Sequence, residues 1–269
     1  MKDLQKWTLG GALCGALYAL VMAAPAAWLA SGVAYASAQR VLLQTPSGTV
    51  WQGSAHLVLS GGDGSANAVS LPSRLEWRIT PAWLGLDVSL SAPCCATAAS
   101  PIRLGLRASG LAHWQDLQWQ LDAPGLKVPA ELLMGWGAPW NTLQLTGDLW
   151  LTSDHLAGVS SPQGTSHITG RATLQANGMA TALSTVRPLG SYRLTSIDTA
   201  IQLETVDTAA PHETALLLTG SGRIEQGRLS FQGQAVAAKG REDALANLLH
   251  MMGQWQPSAD GRARAILKI

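Results

Sequence analysis

The chain has 269 residues, of which 47% are hydrophobic and 13% charged, and its formal net charge is +1. This composition is typical of a globular protein with a membrane-associated part, and it excludes an intrinsically disordered chain. The 18 Lys and Arg residues are scattered and form no basic run, so nucleic acid is not expected as a partner.

The first predicted element is a membrane helix. No charged side chain occurs between Lys6 and Arg40, and this stretch is longer than the roughly 20 apolar residues that cross a bilayer. Lys2 and Lys6 precede the stretch, so the positive-inside rule places the N-terminus in the cytoplasm and the rest of the chain on the far side. A cleaved signal peptide is the alternative, because "AYASA" at 34–38 has the small residues of a cleavage site.

The next element follows within a few residues. "TPSGTVWQGSAHLVLS" at 45–60 predicts a turn and then a long strand, tied closely to the anchor. Gly48 and Gly53 would permit a tight turn and a bend or bulge, and Trp51 would pack at the start of the core. Ordinary strand edges without a partner contact are an equal alternative for these three structural candidates.

The remaining chain alternates apolar and polar residues with a period of two, as in "RLEWRI" at 74–79, where Leu75, Trp77 and Ile79 share one face. Gly, Pro, Asn and Asp separate the runs at short intervals, which favours an antiparallel sheet. Similar runs occupy 86–90, 102–108, 117–121, 142–151, 166–176, 198–206, 214–224, 228–237 and 264–269. In the run at 142–151, Leu143, Leu145, Leu149 and Leu151 would lie on one side of a strand.

Two segments have helical character instead. The segment 128–137 predicts a short helix after Pro129. The segment 240–255 predicts a better one, with Glu242 and Asp243 at its start and Gly253 at its end. The apolar stripe of this second helix is interpreted as packing onto the sheet, with a membrane or partner role as the alternative; it consists of Leu245, Leu248, Leu249 and Met252.

No catalytic, cofactor or metal motif is recognised, so no catalytic, cofactor-binding or metal-ligating residues are predicted. Asp154 and His155 are adjacent, but neighbouring strand residues point to opposite faces, so the pair is not expected to cooperate. Cys94 and Cys95 are also adjacent: a strained vicinal disulfide is one interpretation, and two small residues in a Pro- and Ala-rich loop is the other.

Tryptophan is abundant, with eleven residues against one Phe and three Tyr. Six of them lie early in the β-rich region, at 51, 77, 83, 114, 119 and 136. Most are expected in the core of the sheet, and a groove for an apolar ligand such as a lipid chain is the alternative.

The order of these features resembles the type II secretion system protein N family. The resemblance is carried by "VLLQTPSGTVWQGSAHLVL", "GLKVPAELLMGWG" with "LQLTGDLWL", "ATALSTVRPLGSYRLT" and "GRLSFQGQAVAAKGREDALANLLHMMG". Its most specific parts are "SGTVWQG" and "PLGSYRL". It implies a mainly β fold: a cytoplasmic N-terminus at 1–6, a transmembrane anchor region at 7–38 and a periplasmic antiparallel β-sheet domain at 41–269 with a few short helices.

The resemblance also implies a function. It is that of a non-enzymatic, single-pass inner-membrane component of the Gram-negative machine that exports folded proteins from the periplasm across the outer membrane. Other components of that machine and inner-membrane lipid are then the expected partners. A second, more distant resemblance is to inner-membrane β-groove proteins that handle lipids, so a lipid-binding or lipid-transfer module is the alternative function.

Overall fold

The computed structural model describes residues 11–12, 15–16, 18–65, 67–110, 116–138, 140–161, 164–206, 214–225, 228–257 and 263–268. Within these ranges, fourteen strands form one antiparallel sheet, in which nearly every strand pairs with its neighbours in sequence. The exception is the last pair, since β14 lies between β12 and β13. The prediction of a mainly β, antiparallel fold is confirmed.

Short connections join most of the consecutive strands. They are β1 Val41–Gly48, β2 Gln52–Ser60, β3 Ala68–Ala82, β4 Gly85–Ser91, β5 Ile102–Ala108, β6 Leu117–Pro129, β7 Thr146–Ser161, β8 Gly164–Ala180, β9 Gly190–Ile197, β10 Ala200–Val206, β11 Leu216–Glu225, β12 Arg228–Ala237, β13 Gln254–Pro257 and β14 Ala263–Lys268. Among the turns that the structure describes, those of the β3–β4 and β9–β10 hairpins have two residues, and Leu84 and Asp198 take φ of 53° and 52° there. Left-handed residues give these turns the twist that suits the flanking strands.

Besides the helical residues before Ala23, four helices are described: α1 Ala26–Ala36, a 3₁₀ helix Ala130–Trp136, α2 Trp140–Leu143 and α3 Glu242–Met252. The helix predicted after Pro129 is confirmed, with 3₁₀ geometry. The helix predicted within 240–255 is confirmed as α3, and its Leu245, Leu248 and Leu249 are buried against the sheet.

The strand runs predicted from period-two alternation are confirmed in the main, because each overlaps one of the strands β3 to β12 or β14. One detail is wrong. Leu143 does not share a strand face with Leu149, because α2 covers Trp140–Leu143 and β7 begins only at Thr146. The first strand also starts earlier than the predicted turn, since residues 45–48 are the end of β1.

The long uncharged stretch is divided in the structure. Residues 18–22 are helical, Pro25 then forms an isolated bridge with Thr49, and α1 follows as a separate helix. Ala26 of α1 is buried against Ala55 and Trp77 of the sheet. In the described part of the chain no helix combines the length and the apolar character that a bilayer crossing requires.

The core lies on one face of the sheet. Besides a small cluster of Ala26, Ala55 and Trp77 beside α1, three clusters follow one another along it, centred on Leu71, on Leu149 and on Leu249. They are continuous, because Val128 packs against the first two clusters and Leu218 against the last two. We call this the apolar face, and the opposite side the outer face.

Candidate functional site

The apolar face is left open over β1 to β6. In β4, Leu86, Val88 and Leu90 project to the apolar face, while Asp87 and Ser89 project to the outer face. The same alternation in the neighbouring strands brings aliphatic side chains together on one side.

These side chains line a groove of about 690 Å³. Its floor is formed by residues of β1 to β6: Val41, Leu43, Leu57, Leu59, Leu71, Leu75, Trp77, Ile79, Leu86, Val88, Leu90, Ile102, Leu106, Leu126 and Val128. Leu29 and Val33 of α1 form one wall, and Leu132, Leu133 and Trp136 of the 3₁₀ helix form another. The lining is almost entirely hydrocarbon, and the volume falls within the range of small-molecule sites.

The groove contrasts with the other end of the same face. Over β11, β12 and β14, α3 covers the sheet, and Leu245, Leu249 and Ala265 are fully buried there. Among the residues that the structure describes, no helix covers the middle of the groove in the same way, and Val88, Leu75 and most of their aliphatic neighbours are only half-buried. A contiguous apolar surface left open to this extent is typical of a binding site.

One end of the groove is closed. The connection between β4 and β5 folds over it, where the Lys127 amide donates a 2.9 Å hydrogen bond to the Cys95 carbonyl. Leu71, Cys95 and Leu132 pack together there and are buried. We call this the disulfide end, because Cys94 and Cys95 are joined by a disulfide bond. Of the two interpretations of this pair, the structure has the vicinal disulfide.

The other end carries exposed apolar side chains. It is formed by the β3–β4 turn, where Trp83 is 87% exposed, and by the β1–β2 turn beside it. Leu84 and Leu86 at the same turn are also exposed. We call this the Trp83 end.

The apolar N-terminal segment reaches the molecule at the Trp83 end. The Val50 amide donates to the Ala24 carbonyl at 2.9 Å, and Trp51 Nε1 donates to the Val21 carbonyl at 2.8 Å. Four side chains at or beside these contacts are exposed: Tyr18, Leu20, Val21 and Met22.

The three structural candidates all lie in the β1–β2 hairpin. Gly48 has φ of +93° and pairs with Gly53 across the start of the turn. At Gly53 a Cβ would lie 2.6 Å from the Trp77 ring, so this glycine allows the ring to pack against the backbone. Trp51 is partly buried and bonds the N-terminal segment. The bulge of this hairpin is at Thr45, where φ is 47°.

The outer face is polar, and some of its charges are paired. Arg107 and Asp87 form a 2.6 Å ion pair beside Arg78 and Arg103. These side chains lie over a shallow hollow that is open to water. Exposed ion pairs of this kind contribute little to stability.

The interpretation of Asp154 and His155 is wrong in its geometry. His155 has φ of 47° at a bulge in β7, which turns its side chain between two carboxylates. Its Nδ1 lies 3.6 Å from Asp122 Oδ1 and its Nε2 lies 3.6 Å from Asp154 Oδ1. His155 is 79% exposed, so water competes for these contacts. In the described residues no group of His, Cys, Asp or Glu is arranged to hold a metal ion.

The expectation that most tryptophans are core residues is also wrong. Trp77 is buried, with Nε1 donating to the Val50 carbonyl at 3.1 Å, whereas Trp83, Trp136 and Trp150 are exposed. They are exposed because they lie at a hairpin tip, at the end of the 3₁₀ helix and on the outward side of β7. Trp51 and Trp119 are partly buried, and Trp114 lies outside the described residues.

Sequence reasoning missed the contribution of α1 to the groove. Leu29 and Val33 lie in the stretch predicted to cross the membrane, and their spacing of four places both on one helix face. That spacing was available in the sequence, but it is masked by an apolar residue at almost every neighbouring position.

Comparison with known proteins gave one match. Residues 39–265 match the model of the family described as "Type II secretion system (T2SS), protein N". No curated protein and no solved structure matches significantly. The matched region covers most of the chain and includes all fourteen strands except the last residues of β14.

Proposed function

The chain belongs to the type II secretion system protein N family, and from that premise we propose that it is a non-enzymatic inner-membrane subunit of the secretion machine. The family makes it a type II secretion component. The finer proposal is a cytoplasmic N-terminus at 1–6, an anchor at 7–38 and a periplasmic β domain at 41–269 that helps export folded proteins across the outer membrane.

The observation that carries the anchored position is the link between the uncharged stretch and the sheet. Trp51 and Val50 donate hydrogen bonds to the carbonyls of residues 21 and 24, so the β1–β2 hairpin is held against the middle of that stretch. A domain fastened in this way lies close to the bilayer in which the stretch is embedded.

Retention of the anchor is supported by α1. A cleavage after 38 would remove Ala26, which is buried against Ala55 and Trp77, and Leu29, which packs beside them. Loss of side chains that pack in a core cluster destabilises the fold. We therefore propose that the anchor is retained.

The proposed binding partners are other secretion components. Of the two strand edges, β1 is interrupted by the Thr45 bulge and by Pro46, and β13 has only four residues. Both features hinder the addition of a further strand. Side chains exposed at the Trp83 end, above all Trp83 and Leu84, are then the better contact surface.

Two experiments in a Gram-negative host test the secretion role. Deleting the gene is expected to reduce secretion of a folded substrate, and a plasmid copy restores it. A photoreactive residue at Trp83 is expected to crosslink to another secretion component, whereas one at Arg228, exposed at the start of β12, serves as control. Unimpaired secretion on deletion, together with no crosslinks, would contradict the proposal.

Lipid binding is a second candidate function, and the open apolar groove is the observation that favours it. In an aqueous compartment, so many half-buried Leu and Val side chains lying together are typical of a binding site, and a lipid chain matches their chemistry. A lipid that co-purifies with the full chain, detected by mass spectrometry, would support this candidate; a lipid-free protein would count against it.

A further inference from the structure

We propose that an acyl chain of a membrane lipid enters the groove at the Trp83 end and lies with its methyl terminus toward the disulfide end. This site deepens the lipid-binding candidate and relies on the proposed anchor. It does not require a role in secretion.

The lining determines the class of ligand. Aliphatic side chains from six strands, α1 and the 3₁₀ helix surround the space, and they offer almost no donor or acceptor. A polar ligand would lose its hydrogen bonds to water there without replacement, which is unfavourable. A hydrocarbon chain loses nothing of that kind, and apolar surface of both partners leaves water when it binds.

The gradient of burial along the groove determines the direction of entry. At the disulfide end, Leu71, Cys95 and Leu132 are buried in contact with one another. At the Trp83 end, Leu86 is exposed and Leu106, its cross-strand partner, is half-buried. The groove is therefore closed at one end and open at the other.

The open end faces residues 18–24, which lie within the uncharged stretch. Tyr18, Leu20 and Met22 are exposed beside the contacts of Val21 and Ala24 with the β1–β2 turn. If this stretch is embedded in a bilayer, the opening lies at the membrane surface. A lipid chain can then pass from one hydrocarbon environment to another.

Helix α1 makes the apolar surface continuous between the groove and the N-terminal part of the uncharged stretch. Leu29 and Val33 line the groove, while Trp28 and Tyr35 on other sides of the helix are 56% and 88% exposed. A helix that is apolar on all sides is typical of a hydrocarbon or interfacial surrounding. This continuity favours a lipid over a peptide segment of another protein as the occupant.

The experiment uses the full chain in vesicles of phosphatidylethanolamine and phosphatidylglycerol that contain a photoreactive phospholipid. One probe carries a diazirine at the methyl end of an acyl chain, and a second carries it near the carboxyl end. After irradiation, labelled peptides are mapped by mass spectrometry. The methyl-end probe is expected to label residues near Leu71 and Leu132, and the carboxyl-end probe residues near Leu86 and Leu106.

A matched pair of variants tests the groove directly. Val88→Trp fills the middle of the groove and is expected to lower labelling at the disulfide end about tenfold. This factor corresponds to the binding free energy contributed by about two buried methylene groups. Ser89→Trp places the same side chain on the outer face of the same strand and should label as the wild type does. Thermal unfolding of both variants shows whether they are folded, and the wild-type labelling map does not depend on either.

The outcomes separate this site from the functions proposed above. Labelling confined to residues 18–22 and the outer face, or equal in both variants, would overturn the site while leaving lipid binding elsewhere possible. If no lipid labels or co-purifies, the lipid-binding function fails too. A photoreactive residue at Val88 that crosslinks to a protein in cells would show a polypeptide occupant and overturn the proposal, whereas a lipid adduct supports it.

Discussion

Gly48 shows at the scale of one residue why the β1–β2 hairpin needs its glycines. Its φ of +93° lies in the region that L side chains rarely adopt, and a Cβ there would lie 2.5 Å from the Gln52 carbonyl oxygen. Backbone atoms cannot move aside as a flexible side chain can, so both the dihedral angle and the contact oppose a substitution.

We expect Gly48→Ala to lower the free energy of unfolding by about 2–3 kcal/mol, the upper part of the range for a strained backbone residue. The control is Gly64→Ala, because Gly64 has φ of +72° but open space around its Cβ position. It should cost about 1 kcal/mol from the dihedral angle alone. Urea unfolding of both variants checks this, and equal losses would show that the contact with Gln52 does not matter.

Tyr192 is a second residue with a measurable signature. It is buried in the cluster with Leu149 and Met179, and its hydroxyl donates a 3.0 Å hydrogen bond to the Leu216 carbonyl. Burial raises the pKa of the Tyr192 phenol, because desolvation disfavours the phenolate. The unfolded chain ionises near pH 10, so the contribution of this group is present below about pH 10 and is lost as the pH rises further.

Tyr192→Phe is therefore expected to behave differently at two pH values. Near pH 8 it should be about 1 kcal/mol less stable than the wild type, since the hydrogen bond is lost. Between about pH 10 and 11 that difference should shrink, because the wild type loses up to about 1.4 kcal/mol per pH unit through this group and the variant does not. Denaturant unfolding at both pH values is the measurement, and a difference that stays constant would contradict the role of burial.

At the scale of elements, α3 and α1 use apolar residues in different ways. The stripe of α3 covers the sheet, whereas α1 places two residues on the groove and exposes others. The interpretation of the α3 stripe as core packing is confirmed by the burial of Leu245, Leu248 and Leu249.

We expect Leu249→Ala to lower the free energy of unfolding by about 2–5 kcal/mol, since Leu249 is fully buried and its removal leaves a cavity. Met251→Ala in the same helix is the control, because Met251 is 58% exposed and its loss should cost at most about 0.5 kcal/mol. Thermal or urea unfolding distinguishes the two. If the Met251 variant were the more destabilised, α3 would pack through its other face.

The same pair of variants bears on whether α3 has a partner. An effect of Met251→Ala on secretion without an effect on stability would assign the exposed face of α3 to a contact with another protein. If Met251→Ala changes neither secretion nor stability, the role of α3 is to pack on the sheet.

At the scale of the whole molecule, one sheet has a closed half and an open half. Helix α3 covers the cluster around Leu249, and the 3₁₀ helix packs on the cluster around Leu149 and forms a wall of the groove, but no described helix covers the middle of the groove. The open half is also the half to which the uncharged N-terminal stretch is fastened. The arrangement places the least covered apolar surface nearest to the proposed membrane.

The proposed topology predicts the location of the β domain. A disulfide-dependent alkaline phosphatase fused after Ile269 is expected to be active, because that enzyme folds only outside the cytoplasm. Replacing Lys2 and Lys6 by Glu should reduce the activity, since it removes the charges that hold the N-terminus inside. A cytoplasmic reporter such as β-galactosidase at the same position is the control, and activity of that fusion alone would contradict the topology.

Much of the fold is determined by the sequence alone. The alternation of Leu75, Trp77 and Ile79 predicts the face of β3 because a strand repeats every two residues, whatever surrounds it. The stripe and ends of α3 are predictable for the same reason, since helix periodicity and end charges act within a few residues. The family resemblance, which the comparison confirms, is likewise a property of the linear order of motifs.

What only the tertiary structure decided depends on contacts between distant residues. The side chain of His155 is turned toward Asp122 by a bulge whose register is set across β7 and β8. Helix α1 has the composition of a membrane segment, and its place beside the groove follows from packing on Ala55 and Trp77. The groove is open because α3 packs over a different part of the apolar face. This helix lies more than 150 residues after β4 in the chain. Alternation fixes which face of each strand is apolar, but whether a helix covers that face is settled by long-range packing, which no local pattern encodes.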